Sequence, residues 1–423
     1  MKGKFEILLF IVLSWGCSKD VIVKPDPVAT DKPKGKPIEE PKDKPTNDGT
    51  GTTVQTAIGP LKLVPPYSTK SASKPSQLVG WTKGKLPKAP AGFTVTRFAE
   101  NLDHPRWTYV APNKDFFVAE ANTSGSADRI ILLRDEDGDG KVDKRFVFAS
   151  GLNQPLGMLV LGNHFYVANT DGLYRYPYTE GGTKLNMGGQ KIVDLSASGY
   201  NNHWTRNIIA NKAGNKIYIS VGSATNAGVE GIELEKRRAN ILEVNLDGSG
   251  EMVYANGLRN PVGMDWNPVT GELWTAVNER DGLGDNLVPD YITSVKQGGW
   301  YGWPYSYFGK VKDPRWKKDP HDDLVAKAII PDVPVGSHTA SLGLAFYTGD
   351  KFPAKYKNGA FVGQHGSWNR ADFAGYKVLF VPFVGGKPQT PEDFLTGFIA
   401  NDKAGLVYGR PVGVTVAPDG SLL

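Results

Sequence analysis

The octapeptide Gly151-Leu152-Asn153-Gln154-Pro155-Leu156-Gly157-Met158 returns as Gly257-Leu258-Arg259-Asn260-Pro261-Val262-Gly263-Met264, with five of eight positions identical. Weaker copies stand at Asn101-Leu102-Asp103-His104-Pro105, at Ser341-Leu342-Gly343-Leu344 and at Gly409-Arg410-Pro411-Val412-Gly413. The polar stretch Asn201-Asn202-His203-Trp204-Thr205-Arg206-Asn207 falls between the two strong copies. Each is followed by an apolar run, then a turn such as Pro112-Asn113-Lys114-Asp115, then a second run such as Phe116-Phe117-Val118-Ala119. A unit of this kind cannot bury its apolar face alone and must stack on its neighbours. Six such units, roughly 50 to 80 residues apart, predict an all-β fold, a six-bladed β-propeller.

The texture beyond Gly92 agrees, because short Val/Ile/Phe/Tyr-rich runs alternate with Gly, Asn, Asp and Pro turns and no long helical period appears. In a propeller, the segment leading into each innermost strand sits at one end of the central channel. His203, Arg259, His338 and Arg410 all hold that position, so one site built from several blades is expected. Phe93-Thr94-Val95-Thr96-Arg97-Phe98 reads as the outer strand that the N-terminal side lends to the last blade. At the other end the chain stops at Pro418-Asp419-Gly420-Ser421-Leu422-Leu423, within what reads as that blade's second strand. The last blade is therefore expected to be incomplete at the C-terminus, with the sequence a fragment and an open edge exposed.

Ahead of the propeller, expected over residues 92–423, lie three segments of different character. Residues 1–17 carry Lys2 and Lys4 before the apolar run Ile7-Leu8-Leu9-Phe10-Ile11-Val12-Leu13, which is too short to span a bilayer and reads as a signal peptide. Ser14-Trp15-Gly16-Cys17 resembles a bacterial lipoprotein processing site, with Cys17 the lipidated residue, the other reading being an ordinary secretory signal with an incidental cysteine. That predicts a chain anchored by lipid alone in the bacterial cell envelope, at the periplasm or the cell surface. Residues 18–59 are rich in Lys-Pro, Asp-Pro and Glu-Pro pairs and read as a tether, able to span on the order of 100 Å when extended. Residues 60–91 are transitional.

Composition excludes some partners. The net charge of +5 comes from 49 basic and 44 acidic residues, with no dense Lys/Arg run interleaved with aromatics in the folded part, so nucleic acid is not expected. The single cysteine excludes a disulfide within the chain and a Cys-x-x-Cys-His haem attachment.

Chemistry-bearing residues gather in four places. Asp135, Asp137, Asp139 and Asp143 occupy positions one, three, five and nine of a calcium-loop pattern with Gly140 at six. Phe146 stands where the bidentate glutamate belongs, so structural calcium and a bare acidic hairpin turn remain equal readings. Glu279, Asp281 and Asp285 flank two glycines and offer hard oxygen ligands suited to Ca²⁺. Gly298-Gly299-Trp300-Tyr301-Gly302-Trp303-Pro304 could form a stacking wall or ordinary aromatic packing. Gln364-His365-Gly366-Ser367-Trp368-Asn369-Arg370 ends a strand in polar donors, and with Arg259 and Arg410 it points to an anionic ligand. His203 alone reads as a proton carrier or as a loop-bonding residue.

Taken in order, His203 with Trp204-Thr205-Arg206, Leu258-Arg259-Asn260-Pro261, Glu279-Arg280-Asp281, Tyr301-Gly302-Trp303-Pro304, Gln364 through Arg370 and Gly409-Arg410-Pro411 resemble the soluble quinoprotein glucose/sorbosone dehydrogenase family. The sequence looks closer to the sorbosone dehydrogenase branch. The resemblance implies a six-bladed propeller holding pyrroloquinoline quinone, a tricarboxylate, with Ca²⁺ at the channel mouth. It implies that His203 is the base that takes a sugar hydroxyl proton as hydride passes to the quinone, and that Arg259 and Asn260 polarise the accepting carbonyl. It implies that Arg370 and Arg410 hold the cofactor with His365 and Arg206, that Glu279 to Asp285 supply calcium ligands, and that electrons leave to a separate acceptor. An acidic residue commonly precedes the histidine in the glucose dehydrogenases, whereas Asn202 stands here, which leaves the sugar open. Two other readings use the same residues differently: a calcium-dependent propeller lactonase, and a surface propeller that binds carbohydrate without catalysis.

Overall fold

The computed structural model describes residues 51–82, 84–123, 125–197 and 203–423. The signal-like segment, Cys17, most of the tether and Asn202 lie outside the described residues. The regular structure among the described residues is nearly all strand, in antiparallel sheets that follow one another along the chain. The first sheet runs Pro105–Val110, Phe116–Glu120, Arg129–Arg134, Lys144–Ala149, and the second Gly157–Leu161, His164–Asn169, Gly172–Pro177, Gln190–Asp194. The third runs Arg206–Ala210, Lys216–Val221, Asn240–Asn245, Met252–Asn256, with Gly299–Trp300 added in parallel at its edge. The fourth runs Pro261–Trp266, Leu273–Val277, Pro289–Ser294, Val333–Ser337, and the fifth Ser341–Phe346, Ala360–Gln364, Lys377–Val381, Glu392–Leu395.

Each sheet is a meander because its turns carry the left-handed residues a tight reversal needs, such as Lys114 at φ 70° and Gly271 at φ 72°. The second strands are buried on both faces, as Phe116–Glu120 and Leu273–Val277 show along their whole length. Outer strands such as Lys144–Ala149 are exposed over about half their length. Burial of a strand on both faces requires another sheet on each side, and apolar clusters fill those spaces. Phe117, Phe148 and Phe165 pack between sheets one and two, and Tyr166, Leu173, Ile208 and Ile219 between two and three. Tyr218, Ile241, Leu273 and Tyr291 fill the next gap, and Trp274, Val333, Phe346 and Val362 the one after. Phe361 and Phe380 then meet Val414, while Phe116 and Val118 meet Ala417, so the C-terminal segment packs between sheets five and one.

The repeat acquires a physical meaning from this arrangement. A Cβ at Gly157 would stand 2.6 Å from the Ile208 nitrogen of the third sheet, and one at Gly263 would collide with the backbone at Leu342–Leu344 of the fifth. Gly343 faces Val412 in the same way, and the Gly413 nitrogen donates to the Arg106 carbonyl at 3.2 Å. The repeated glycine thus marks where the first strands of neighbouring sheets approach backbone to backbone, which a side chain would forbid. The result is a propeller-like fold whose first strands face one another.

Three features of the N-terminal side differ from the sequence expectation. Thr52–Thr56 and Gly59–Leu63 form a hairpin across the expected end of the tether at residue 59, because Val54 and Leu63 are buried in the cluster of sheets three and four. Phe93 to Phe98 form no strand. Phe93 instead lies edge-on to Phe352 and Tyr356, between the fifth sheet's first two strands, and to Phe394 in its last, and Phe98 packs on Phe116 of the first sheet. The strand lent to the last sheet is Gln77–Leu78, parallel to Leu406–Val407, which in turn pairs with Ile399–Asn401. The C-terminal residues turn back on themselves, with Thr415 and Leu423 exchanging backbone hydrogen bonds at 3.0 and 2.9 Å.

Candidate active site

Where the first strands begin, a cavity of about 200 Å³ opens. Its lining includes Arg106, His203, Arg259, Asn260, Asp281, His338, His365 and Arg410, which come from every sheet but the second and from the C-terminal segment.

His203 sits just before the first strand of sheet three and is buried. Its Nδ1 faces the Ser223 carbonyl at 2.9 Å and the Ser223 hydroxyl at 3.0 Å, and that hydroxyl already donates to the Thr225 carbonyl at 2.6 Å. A carbonyl can only accept, so Nδ1 carries the hydrogen and Nε2 keeps its lone pair. Nε2 has no hydrogen-bond partner among the described residues. Burial, and next the neighbouring Arg259, hold the imidazole well below its ordinary pKa, so it is neutral at physiological pH. The backbone behind it is held by two arginines: Arg206 Nη1 donates to the His203 carbonyl at 2.8 Å, and Arg238 donates to the carbonyls of His203 and Ser223. Gly222 lets His203 and Asn260 stand side by side, since a Cβ there would come within 2.6 Å of the His203 Cβ and would collide with Asn260 Oδ1. That amide oxygen is buried without a hydrogen-bond partner among the described residues.

Arg259 is fixed by acceptors on three sides. Its Nε donates to the Asn226 carbonyl at 3.1 Å, Nη1 to the Glu279 carbonyl at 2.5 Å and Nη2 to Asn226 Oδ1 at 2.8 Å, with Asp281 3.5 Å from Nη2. Asp281 also meets His338 Nδ1 at 3.1 Å, while His338 Nε2 faces the Gly284 carbonyl at 2.9 Å. With an acceptor at each nitrogen the ring is doubly protonated: burial opposes the charge, but Asp281 outweighs it and raises the pKa. Across the cavity, Arg106 donates to the Ala121 carbonyl and to Asn122 Oδ1, and its Nη1 lies 3.3 Å from His365 Nε2. His365 Nδ1 meets the Pro411 carbonyl at 3.1 Å, and Arg410 donates to the carbonyls of His365 and Gly366. Burial, then Arg410 and Arg106, hold His365 well below its ordinary pKa. Three guanidiniums therefore surround the cavity with two neutral imidazoles and one neutralised His338–Asp281 pair, an electrostatic setting for an anion.

Of the residues singled out in the sequence, His203, Arg259, Asn260, His365, Arg410 and Asp281 come together at the cavity. Arg206 does not line it and lies behind His203. Arg370 also stands outside, donating to the Asp285 carbonyl at 2.9 Å. The three carboxylates of the 279–285 loop face different partners. Glu279 accepts from the Arg280 nitrogen, Asp281 faces His338 and Arg259, and Asp285 accepts from the nitrogens of Ala72 and Ala371. Of the other acidic loop, Asp135, Asp137 and Asp143 bring carboxylate oxygens within 4.8 Å of one another, while Asp139 turns to Lys141. Sequence reasoning passed over Arg106, although it directly follows the weak repeat copy ending at Pro105, and that position in the repeat was its signal.

A tricarboxylate quinone fits these residues, because Arg106, Arg259 and Arg410 converge on one cavity and guanidiniums pair with carboxylates. A calcium ion held by the side chains of Glu279, Asp281 and Asp285 does not fit, because those carboxylates are committed in three directions.

Comparison with known proteins gives this arrangement its relatives. The pattern of the TrAA12-like family matches residues 87–305 and 311–423. The chain belongs to that family. An uncharacterized protein of Borreliella burgdorferi is 30% identical over 353 residues, 79% of this chain and 87% of that one. Among solved structures, the calcium structure of the Trichoderma reesei carbohydrate-active enzyme of family AA12 superposes with a TM-score of 0.68 at 19% identity, covering 82% of this chain and 95% of the other. The holo form of the pyranose dehydrogenase PQQ domain from Coprinopsis cinerea gives a TM-score of 0.65 at 21% identity, covering 81% and 95%. These likenesses establish a shared fold.

Proposed function

We propose that this chain is a pyrroloquinoline-quinone-dependent sugar dehydrogenase on a six-bladed propeller, tethered by a lipid on Cys17 to the bacterial cell envelope. One observation carries the reading: a neutral histidine with one nitrogen committed and the other open stands in a cavity ringed by three arginines. Family membership and the likeness to a pyranose dehydrogenase PQQ domain support it.

When bound, the quinone supplies the acceptor for the two electrons leaving the sugar carbon. Arg106, Arg259 and Arg410 would hold its anionic groups, and Asn260 beside Arg259 would orient its polar edge. His203 takes the sugar hydroxyl proton at Nε2, and its low pKa keeps that nitrogen free to receive it. Arg206 and Arg238 fix the His203 backbone, and Ser223 fixes its ring, so the base meets the hydroxyl in one orientation. A set of arginines of this kind serves a polyanionic cofactor better than it serves a neutral lactone. Aldoses, with sorbosone among the candidates, are the substrates, and a separate acceptor takes the electrons.

The test combines purified protein with pyrroloquinoline quinone, with and without Ca²⁺, and follows absorbance on binding and dye reduction with a panel of aldoses and sorbosone. The expected result is saturable quinone binding and sugar-dependent dye reduction. In His203→Ala, quinone binding persists while kcat falls by about 10²- to 10⁴-fold, the usual contribution of a positioned general base. A protein that binds no quinone overturns the proposal, and an unchanged rate in His203→Ala removes the base.

A further inference from the structure

The family match begins at residue 87, yet part of the cavity wall comes from earlier in the chain. Pro75 and Ser76 line the cavity on a segment that crosses its rim from the loop after the fourth sheet's second strand to the last sheet. At one end the Gly284 nitrogen donates to Ser71 Oγ at 2.9 Å and the Ala72 nitrogen to Asp285 Oδ1 at 2.8 Å. In the middle the Lys74 nitrogen donates to the carbonyl of Trp368, itself a lining residue, at 2.7 Å. Lys74 Nζ meets Asp402 at 2.7 Å. At the far end the Gln77 nitrogen donates to the Gly405 carbonyl at 2.8 Å, where the segment joins the last sheet as a parallel strand.

A segment pinned this often is a fixed wall, since each anchor would have to break before it could swing away. Its composition suits that use. Ser71, Ala72, Ser73 and Ser76 are small, so the backbone passes over the rim without plugging the cavity, and Pro75 restricts the chain where it lines the cavity.

We propose that residues 71–79 are a substrate-selecting strap, with Pro75 and Ser76 confining the sugar to a single pyranose unit and rejecting longer oligosaccharides. The proposal rests on the dehydrogenase reading and adds to it a specificity determinant outside the family-matched region.

Three variants of the full chain test it. Ser76→Trp fills the rim: its KM for glucose rises about tenfold, of the order expected for a misfit in a shaped pocket, while quinone affinity by absorbance titration stays unchanged. Replacing Lys74, Pro75 and Ser76 together by glycine loosens the strap: the ratio of kcat/KM for maltotriose to that for glucose rises about tenfold. Ser76→Cys offers a readout without turnover, because a small maleimide labels the new thiol and saturating quinone plus glucose slows that labelling, with the unaltered chain giving the Cys17 background. The strap is overturned if labelling ignores both ligands, or if sugar preference is the same in all variants while the unaltered protein binds quinone and oxidises glucose. Failure of the unaltered protein to bind quinone overturns the dehydrogenase reading and the strap with it.

Discussion

Two loops that each set carboxylates around two glycines meet opposite fates. Asp135 to Asp143 connects the outer strands of the first sheet and satisfies itself: the Gly138 and Gly140 nitrogens donate to Asp135, the Glu136 nitrogen to Asp143, and Lys141 pairs with Asp139 in solvent. Asn278 to Asn286 follows the second strand of the fourth sheet, where Glu279, Arg280 and Asp281 are buried and Asp281 lines the cavity. There Asp281 is tied to His338 and Arg259 from other parts of the chain, and Arg280 to Asp313 at 2.5 Å. The same residue types act as a local turn in one place and as the frame of a charged cavity in the other. Burial makes the difference, because an unpaired buried charge costs far more than an exposed one.

The sharpest way to break this contrast is Asp281→Ala. It leaves Arg259 and His338 without their shared counter-charge, and a loss of about 3–5 kcal/mol in stability is expected from denaturant unfolding. A loss below about 1 kcal/mol would place this loop in the same class as the exposed one.

Glu279→Gln tests the buried loop by pH. Burial, against the opposing Arg280 nitrogen and Arg259, raises the Glu279 carboxyl from its ordinary 4.5 to about 7. A raised folded pKa means that the native state holds the proton more tightly than the unfolded chain does. The associated stability is complete below the unfolded value and is lost as pH rises through about 7. Glutamine stays neutral throughout, so the variant gains on the unaltered protein between pH 5 and pH 8, by roughly 3 kcal/mol at most. Asp290, raised to about 6, is buried in the same region and keeps its own pH dependence in both proteins. Parallel stability curves would show that Glu279 is not held in its neutral form.

Arg259→Ala bears on ligand binding: a loss of about 2–3 kcal/mol, close to a hundredfold in quinone affinity, follows from removing one charge-assisted contact. Equal affinity in the two proteins would take Arg259 out of the cofactor site. The smallest effect belongs to the outer loop. Asp137→Asn changes stability by less than about 0.5 kcal/mol, as for surface positions generally, and a change several times larger would reveal that this loop bears more load than its exposure implies.

How far the sequence reached can be followed along the same loops. The repeat around Gly157 and Gly263 was legible because a propeller-like fold writes its local geometry into each unit, with a turn, a glycine at the strand crossing and an apolar run. His203, Arg259 and Arg410 were legible because they stand at the start of those units. Arg206 and Arg370 looked equally suited to an anion, but a guanidinium reaches several ångströms from its backbone, and its direction is set by which carbonyls lie near it. For Arg206 these were the carbonyls of His203, Thr205 and Ser196, behind the cavity. The segment around Pro75 carried no periodicity at all, since its hydrogen bonds go to Trp368, Asp402 and Gly405, some 300 residues away in sequence.

The sequence by itself determined an antiparallel, propeller-like fold built from repeated strand units and the end of that fold at which charge would collect, because turn chemistry and strand alternation are local. Only the tertiary structure decided which charges share the cavity, which nitrogen of His203 is free, and that a segment from before the family-matched region lines one side. Those outcomes depend on desolvation and on partners distant in sequence, and neither is written in any short stretch of residues.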